Sequence, residues 1–138
     1  IWIDEDLIKQ VVVNMVVNAQ HAIEGKGSIT IRSRRCPAPR SPEPGTQAVA
    51  MAEVSIVDTG CGIPAQNLQR IFDPFFTTKE VGKGTGLGLS VSHGIVKAHG
   101  GAIEVESAVG EGTTIRIFLP LEAAAGEAGG GAGSGSNA

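Results

Sequence analysis

The sequence predicts an α/β fold of the α+β kind. It would be a two-layer sandwich in which a mixed, mainly antiparallel sheet carries its helices on one face. Three observations predict it. A long helical period opens the chain, and four stretches of strand-like alternation follow in two pairs. No helix separates the members of either pair, so consecutive strands are joined by turns and not by crossovers. At 138 residues the chain suffices for one domain with a real core.

Ile1–Ile3 is expected as a short edge strand. Asp4 offers an N-cap, and Glu5 and Asp6 place negative charge in the first turn, where the helix dipole favours it. From Leu7 to about Glu24 the period is helical. Leu7, Val11, Met15 and Ala22 fall on one side, and Ile8, Val12, Val16, Ala19 and Ile23 on another. Such a helix is expected to be buried between other elements, and Gly25 and Gly27 end it. "SITIRSR" alternates Ile29 and Ile31 with polar residues as a strand does. Residues 35–50, with Pro37, Pro39, Pro42, Pro44 and Gly45, are expected as a long surface loop. "EVSIVD" (53–58) makes a second strand, and residues 65–72 a short helix after Pro64. Leu87 to His99 is a helix stopped by Gly100-Gly101. "AIEVES" (102–107) and "TTIRIFL" (113–119) are strands joined by the hairpin signal "AVGEG". The domain is expected over residues 1–122, and residues 123–138 as a disordered Gly/Ala/Ser-rich tail.

A formal charge of −3, five aromatic residues and no basic stripe give nucleic-acid binding no support. The longest apolar runs are far shorter than a membrane span, and no signal peptide or lipidation motif is present. Cys36 and Cys61 form no metal pattern and are expected as reduced thiols of a cytoplasmic protein. The chain starts "IWIDED" without an initiator Met, as a domain cut from a longer protein would.

Chemistry concentrates in four segments. Asn14 and Asn18 lie one turn apart within "VVVNMVVNA". An amide in apolar surroundings needs a partner or costs about 1–3 kcal/mol. Each could bond to a neighbouring loop, or the pair could form a polar window facing a ligand, with an amide oxygen suited to Mg²⁺. In "VDTGCGIP" (57–64), Asp58 ends a strand and Gly60 and Gly62 follow. This is either a strand-ending turn or an acceptor-only carboxylate aimed at an exocyclic amine. Adenine has that amine and guanine a carbonyl in its place, so such a site would discriminate strongly. "IFDPFFTTK" (71–79) holds Phe72, Phe75 and Phe76, three of the four Phe in the chain. It is a hydrophobic plug, or the anchored base of a lid. "GKGTGLGLS" (82–90) fits neither a P-loop nor a dinucleotide fingerprint. Its glycines lead into a helix start, a ready anion site flanked by Lys79 and Lys83.

Together these segments resemble the ATP-binding catalytic domain of bacterial sensor histidine kinases, of the Bergerat group that includes DNA gyrase B, MutL and Hsp-type chaperone ATPases. "DLIKQVVVNMVVNAQHA" resembles the N box, "DTGCGIP" the first glycine box and "IFDPFFTTK" the F box. "GKGTGLGLS" resembles the second glycine box and "GEGTTIRIFLP" the last. The five stand in the family's order over roughly residues 1–120. The run from Phe75 to Gly101 is most similar to nitrogen-regulation and PAS-linked kinases.

The resemblance implies a Bergerat fold that binds ATP and Mg²⁺. Asn18 matches the Mg²⁺ ligand, and Asn14 lines the phosphate end. Asp58 matches the carboxylate that reads the adenine amine, with Gly60, Gly62 and Ile63 close to the base and Thr113 near it. An ATP lid is implied over 72–86, with Phe75, Lys79, Lys83 and Thr85 at the nucleotide. Gly84, Gly86, Leu87 and Gly88 match the backbone around the triphosphate. His21 falls where relatives carry a basic residue near the phosphates. Where hydrolysing relatives have a Glu, this chain has Asn14, which cannot take a proton. The resemblance therefore implies a histidine kinase domain that holds ATP for another acceptor. No residue here matches the phosphoacceptor His, which is implied on a separate histidine-containing dimerisation domain. A response regulator receiver domain is implied downstream. The isolated domain is expected to be a monomer without nucleic-acid or membrane contact, with membrane attachment of a parent kinase left open. An autonomous ATPase, or a non-catalytic interaction module of the same fold, are the alternatives.

Overall fold

The computed structural model describes residues 3–37, 50–76 and 88–121. Helix α1 spans Glu5–Ala22, and β1 (Ile29–Pro37) and β2 (Ala50–Asp58) follow. A single turn, α2, covers Ala65–Leu68; then come α3 (Gly88–Ala98), β3 (Ala102–Ala108) and β4 (Gly112–Pro120). The four described strands form one antiparallel sheet in the order β1-β2-β4-β3.

Strand alternation sorts the sheet into two faces. Val54 and Ile56 of β2, Ile115, Ile117 and Leu119 of β4, and Ile103 and Val105 of β3 share the face that meets the helices. Val11, Met15 and Ala19 of α1 and Val96 of α3 complete that core. Met15, Ile56, Ile117, Val11 and Val96 are fully buried, and each such side chain contributes roughly 1.5–3 kcal/mol of burial. The layer order expected from the sequence is therefore the one observed.

Several details differ from expectation. The helix α1 is covered on one side only: Leu7, Val13 and Val17 are exposed, because the sheet and α3 enclose just the Val11–Met15–Ala19 stripe. Arg35, Cys36 and Pro37 belong to β1 and Ala50 to β2, since ladder pairing carries through the first proline of the expected loop. Residues 38–49 lie outside the described residues. The helix after Pro64 is only Ala65–Leu68, with turns through Phe72 beyond it. Ile3 is not in a strand, and Ile1 and Trp2 lie outside the described residues, as does the tail after Leu121.

Helices α1 and α3 are tied together at two places, one near each end of α3. The Asp4 carboxylate accepts from the Leu7 amide at 3.2 Å and caps α1. The Asp4 amide itself donates to His99 Nε2 at 3.0 Å, at the far end of α3. His99 Nδ1 lies 2.7 Å from the Ile95 carbonyl, which only a protonated Nδ1 can satisfy, leaving Nε2 bare to accept. At the other end, Asn14 Nδ2 donates to Ser92 Oγ at 3.2 Å. On the opposite face of the sheet, Arg34 Nη2 donates to Glu53 Oε2 at 2.7 Å. That hydrogen bond holds the Glu53 carboxyl below the usual glutamate range, outweighing the effect of burial, and raises the Arg34 guanidinium.

Candidate nucleotide site

Asp58 is the last residue of β2 and is buried at 6% exposure. Its Oδ1 accepts the Gly60 amide at 2.8 Å, a turn that folds the following loop back over the strand end. Among the described residues, that amide is the only hydrogen-bond partner of the carboxylate, so Oδ2 retains its capacity to accept. The ladder sets Thr113, also buried, directly opposite Asp58, and Ser107 directly opposite Thr113. The helix-facing side of the sheet thus ends in a row of oxygen-bearing side chains, where the rows behind it are Ile, Val and Leu.

The loop after Asp58 is anchored on two sides. The Cys61 amide donates to the Ala22 carbonyl at 2.9 Å, fixing the loop to the end of α1. On the hairpin side, the Gly110 amide donates to the Cys61 carbonyl at 2.8 Å, and the Ile63 amide to Ser107 Oγ at 2.8 Å. Only glycine fits two of its positions. A Cβ on Gly60 would stand 2.6 Å from the Ala22 carbonyl oxygen. Gly62 has φ +76°, and a Cβ there would collide with the Ala108 carbonyl.

Asn14 and Asn18 are both half-buried on α1. The Asn14 amide group is turned to α3, with Ser92 Oγ at 3.2 Å and the Gly88 carbonyl at a long 3.5 Å. The Asn14 NH₂ is thus bonded to a neighbouring element, at the junction where the glycine-rich loop becomes helix. Asn18, one turn further on, has no hydrogen-bond partner among the described residues. His21, exposed in the last turn, continues the same side of the helix.

The Phe segment is partly plug and partly free. Phe72 stacks on His93 of α3 with ring centroids 4.9 Å apart. The Arg70 guanidinium lies 4.6 Å from the Phe76 ring centre. Phe75 is 72% exposed and has φ +66°, a left-handed conformation that costs a bulky residue on the order of 1–3 kcal/mol. Lys79, Lys83, Gly84, Thr85, Gly86 and Leu87 lie outside the described residues, and of the second glycine box only Gly88 onward is seen.

Two contributing residues carried no motif in the sequence. Ser92 is fully buried and receives the Asn14 amide, and Ser107 binds both the glycine loop and Thr113. Ser107 did carry a signal, since it keeps step with Ile103 and Val105 on the apolar side of its strand.

A carboxylate and two hydroxyls thus line one end of the sheet, and two amides stand on α1 near the start of α3. The chain belongs to the family of histidine kinase-, DNA gyrase B- and HSP90-like ATPases, which it matches over residues 3–123. It is 51% identical over 115 residues to the sensor kinase CckA of Brucella abortus, covering 81% of this chain and 12% of that protein. To the sensor histidine kinase ZraS of Klebsiella oxytoca it is 43% identical over 118 residues, 86% of this chain and 23% of the relative. The chain thus spans between about an eighth and a quarter of these curated relatives. In structure it resembles the catalytic domain of histidine kinase ThkA, with a TM-score of 0.66 and 36% identity over 86% of this chain and 69% of that one. Full-length ShkA in complex with AMPPNP gives a TM-score of 0.65 and 27% identity, over 85% of this chain and 22% of that one. The chain is thus an ATPase-family catalytic domain of the sensor histidine kinase type. No helix among the described residues is long and apolar enough to cross a membrane.

Proposed function

We propose that this domain holds Mg·ATP and presents the γ-phosphate to a histidine carried by a separate dimerisation domain. The observation that carries this reading is the buried Asp58 carboxylate, with one oxygen bonded to Gly60 and the other retaining its capacity to accept at the end of the helix-facing sheet surface. An acceptor there suits the amino group of adenine, and Thr113 stands beside it in the ladder. Gly60, Gly62 and Ile63 form the loop that closes over the base.

The phosphates are assigned to the α1–α3 side. Asn18 supplies an amide oxygen, a hard donor that suits Mg²⁺ when phosphate oxygens and water complete its shell. Among the described residues no cluster of His, Cys, Asp or Glu could hold a metal alone, so the donor set fits an ion that arrives with its nucleotide. The ion, when bound, would neutralise phosphate charge. Asn14 and Ser92 fix the start of α3 against α1, and Gly84, Gly86, Leu87 and Gly88 are assigned to wrap the triphosphate. Lys79, Lys83, Thr85, Phe75 and His21 are assigned to its rim, and residues 72–86 to a lid.

The histidines favour an acceptor outside this chain. Both ring nitrogens of His99 are engaged, and His93 is stacked on Phe72. Asn14 cannot act as a base, so water is not activated and ATP is kept for transfer. A receiver domain would take the phosphoryl group next, and the domain would work in the cytoplasm as part of a longer kinase. The test mixes the chain with a histidine-containing dimerisation domain and γ-labelled ATP with Mg²⁺. Label is expected on the dimerisation domain alone. Label on this chain by itself, or no calorimetric heat with Mg·ATP at millimolar concentration, would overturn the reading.

A further inference from the structure

Ser107, Thr113 and Asp58 form one row across β3, β4 and β2 on the helix-facing side of the sheet. Ser107 Oγ makes three close polar contacts: the Ile63 amide at 2.8 Å, the Gly112 carbonyl at 2.9 Å and Thr113 Oγ1 at 2.7 Å. A serine hydroxyl has one proton and two lone pairs. The Ile63 N–H takes one lone pair. The Gly112 carbonyl has no proton, so Ser107 must donate its own there. The second lone pair can then only accept the proton of Thr113. This is the one arrangement in which all three contacts are hydrogen bonds; Thr113 is buried and Ser107 half-buried, and buried polar groups are rarely left unpaired.

We propose that Ser107 is a specificity-determining positioning residue: it holds the Thr113 hydroxyl proton away from the base, so that the wall beside Asp58 only accepts. The inference rests on the adenine assignment of Asp58 and Thr113 above. Thr113 then offers lone pairs next to a carboxylate that offers lone pairs. A 6-amino purine brings a donor to that wall. A 6-oxo purine, guanine or hypoxanthine, brings another acceptor and meets no donor. Without Ser107 the Thr113 hydroxyl turns and can donate to the 6-oxo group.

The experiment titrates the full chain with Mg·ATP and Mg·ITP and compares the ratio of the two affinities. Ser107→Ala is expected to narrow the preference for ATP by roughly three- to tenfold, the range one net hydrogen bond supplies. Ser107→Thr, which keeps the hydroxyl, restores it. In a Thr113→Val background the Ser107 substitution leaves the ratio unchanged, because its effect passes through Thr113. Should the alanine variant not fold, Ser107→Cys is measured, whose thiol accepts poorly and moves the ratio in the same direction. Equal weakening of both nucleotides, or an unchanged ratio, would mean that Ser107 is only a strut and would overturn the inference. Asp58→Asn separates the two claims. If it collapses the preference while Ser107→Ala does not, this inference fails alone; if the unaltered chain shows no preference for ATP, the adenine assignment itself fails.

Discussion

Replacing Asp58 by Asn changes one atom of the carboxylate and leaves the size of the side chain alone. The amide oxygen of Asn can still accept the Gly60 N–H, now 2.8 Å from Oδ1, so the turn and the fold should persist. The second oxygen becomes an NH₂ that faces the amino group of adenine, donor against donor. The loss has two parts: one charge-assisted hydrogen bond, about 1.5–3 kcal/mol, and one buried donor left without a partner, about 1–3 kcal/mol. Together the two parts come to about 2.5–6 kcal/mol, which weakens ATP by on the order of 100-fold or more. A guanine carbonyl meets the same NH₂ favourably, so GTP should lose little or gain. Isothermal titration of Mg·ATP and Mg·GTP against both chains reads the two effects, and a thermal scan checks the fold. If the variant keeps both its melting temperature and its ATP-over-GTP preference, Asp58 does not read the base and the site is misassigned.

Two further outcomes follow from the same framework. Gly62→Ala forces a Cβ into the Ala108 carbonyl at a left-handed position; a cost of at least about 2 kcal/mol should lower Tm by roughly 8 °C in a domain of this size, and an unchanged Tm would refute the packing described here. Glu53 has its folded pKa lowered by Arg34. The stability it adds is therefore complete above the ordinary glutamate value and is lost as pH falls through the lowered one. Urea midpoints measured from pH 7 to pH 3 should fall less steeply for Glu53→Gln than for the unaltered chain, and parallel profiles would count against the pair.

Part of the candidate site is legible in the sequence because it is written in short motifs. Asp58, Gly60 and Gly62 could be picked out as a strand-ending loop, and both glycines prove to stand where a Cβ has no room. Asn14 was ambiguous, since an i, i+4 amide pair says nothing about where either amide points. Its partner, Ser92, is far away in sequence and fully buried. The apolar circumference of α1 suggested cover on all sides, yet Val13 and Val17 are exposed. Periodicity counts apolar residues but does not say how many neighbouring elements exist to cover them.

The sequence by itself determined the type of the two long helices and of the four strands, the strand pairs, the order of the motifs and the family. Helical period, alternation, caps and glycine turns act over a few residues, so they can be read along the chain. Only the tertiary structure decided the strand order β1-β2-β4-β3, which sets Asp58 beside Thr113 and Thr113 beside Ser107. That order comes from long-range pairing and from burying one continuous apolar face, energies summed over many residues and visible at none of them singly. The protons of Ser107 and Thr113 are fixed only once those strands have met.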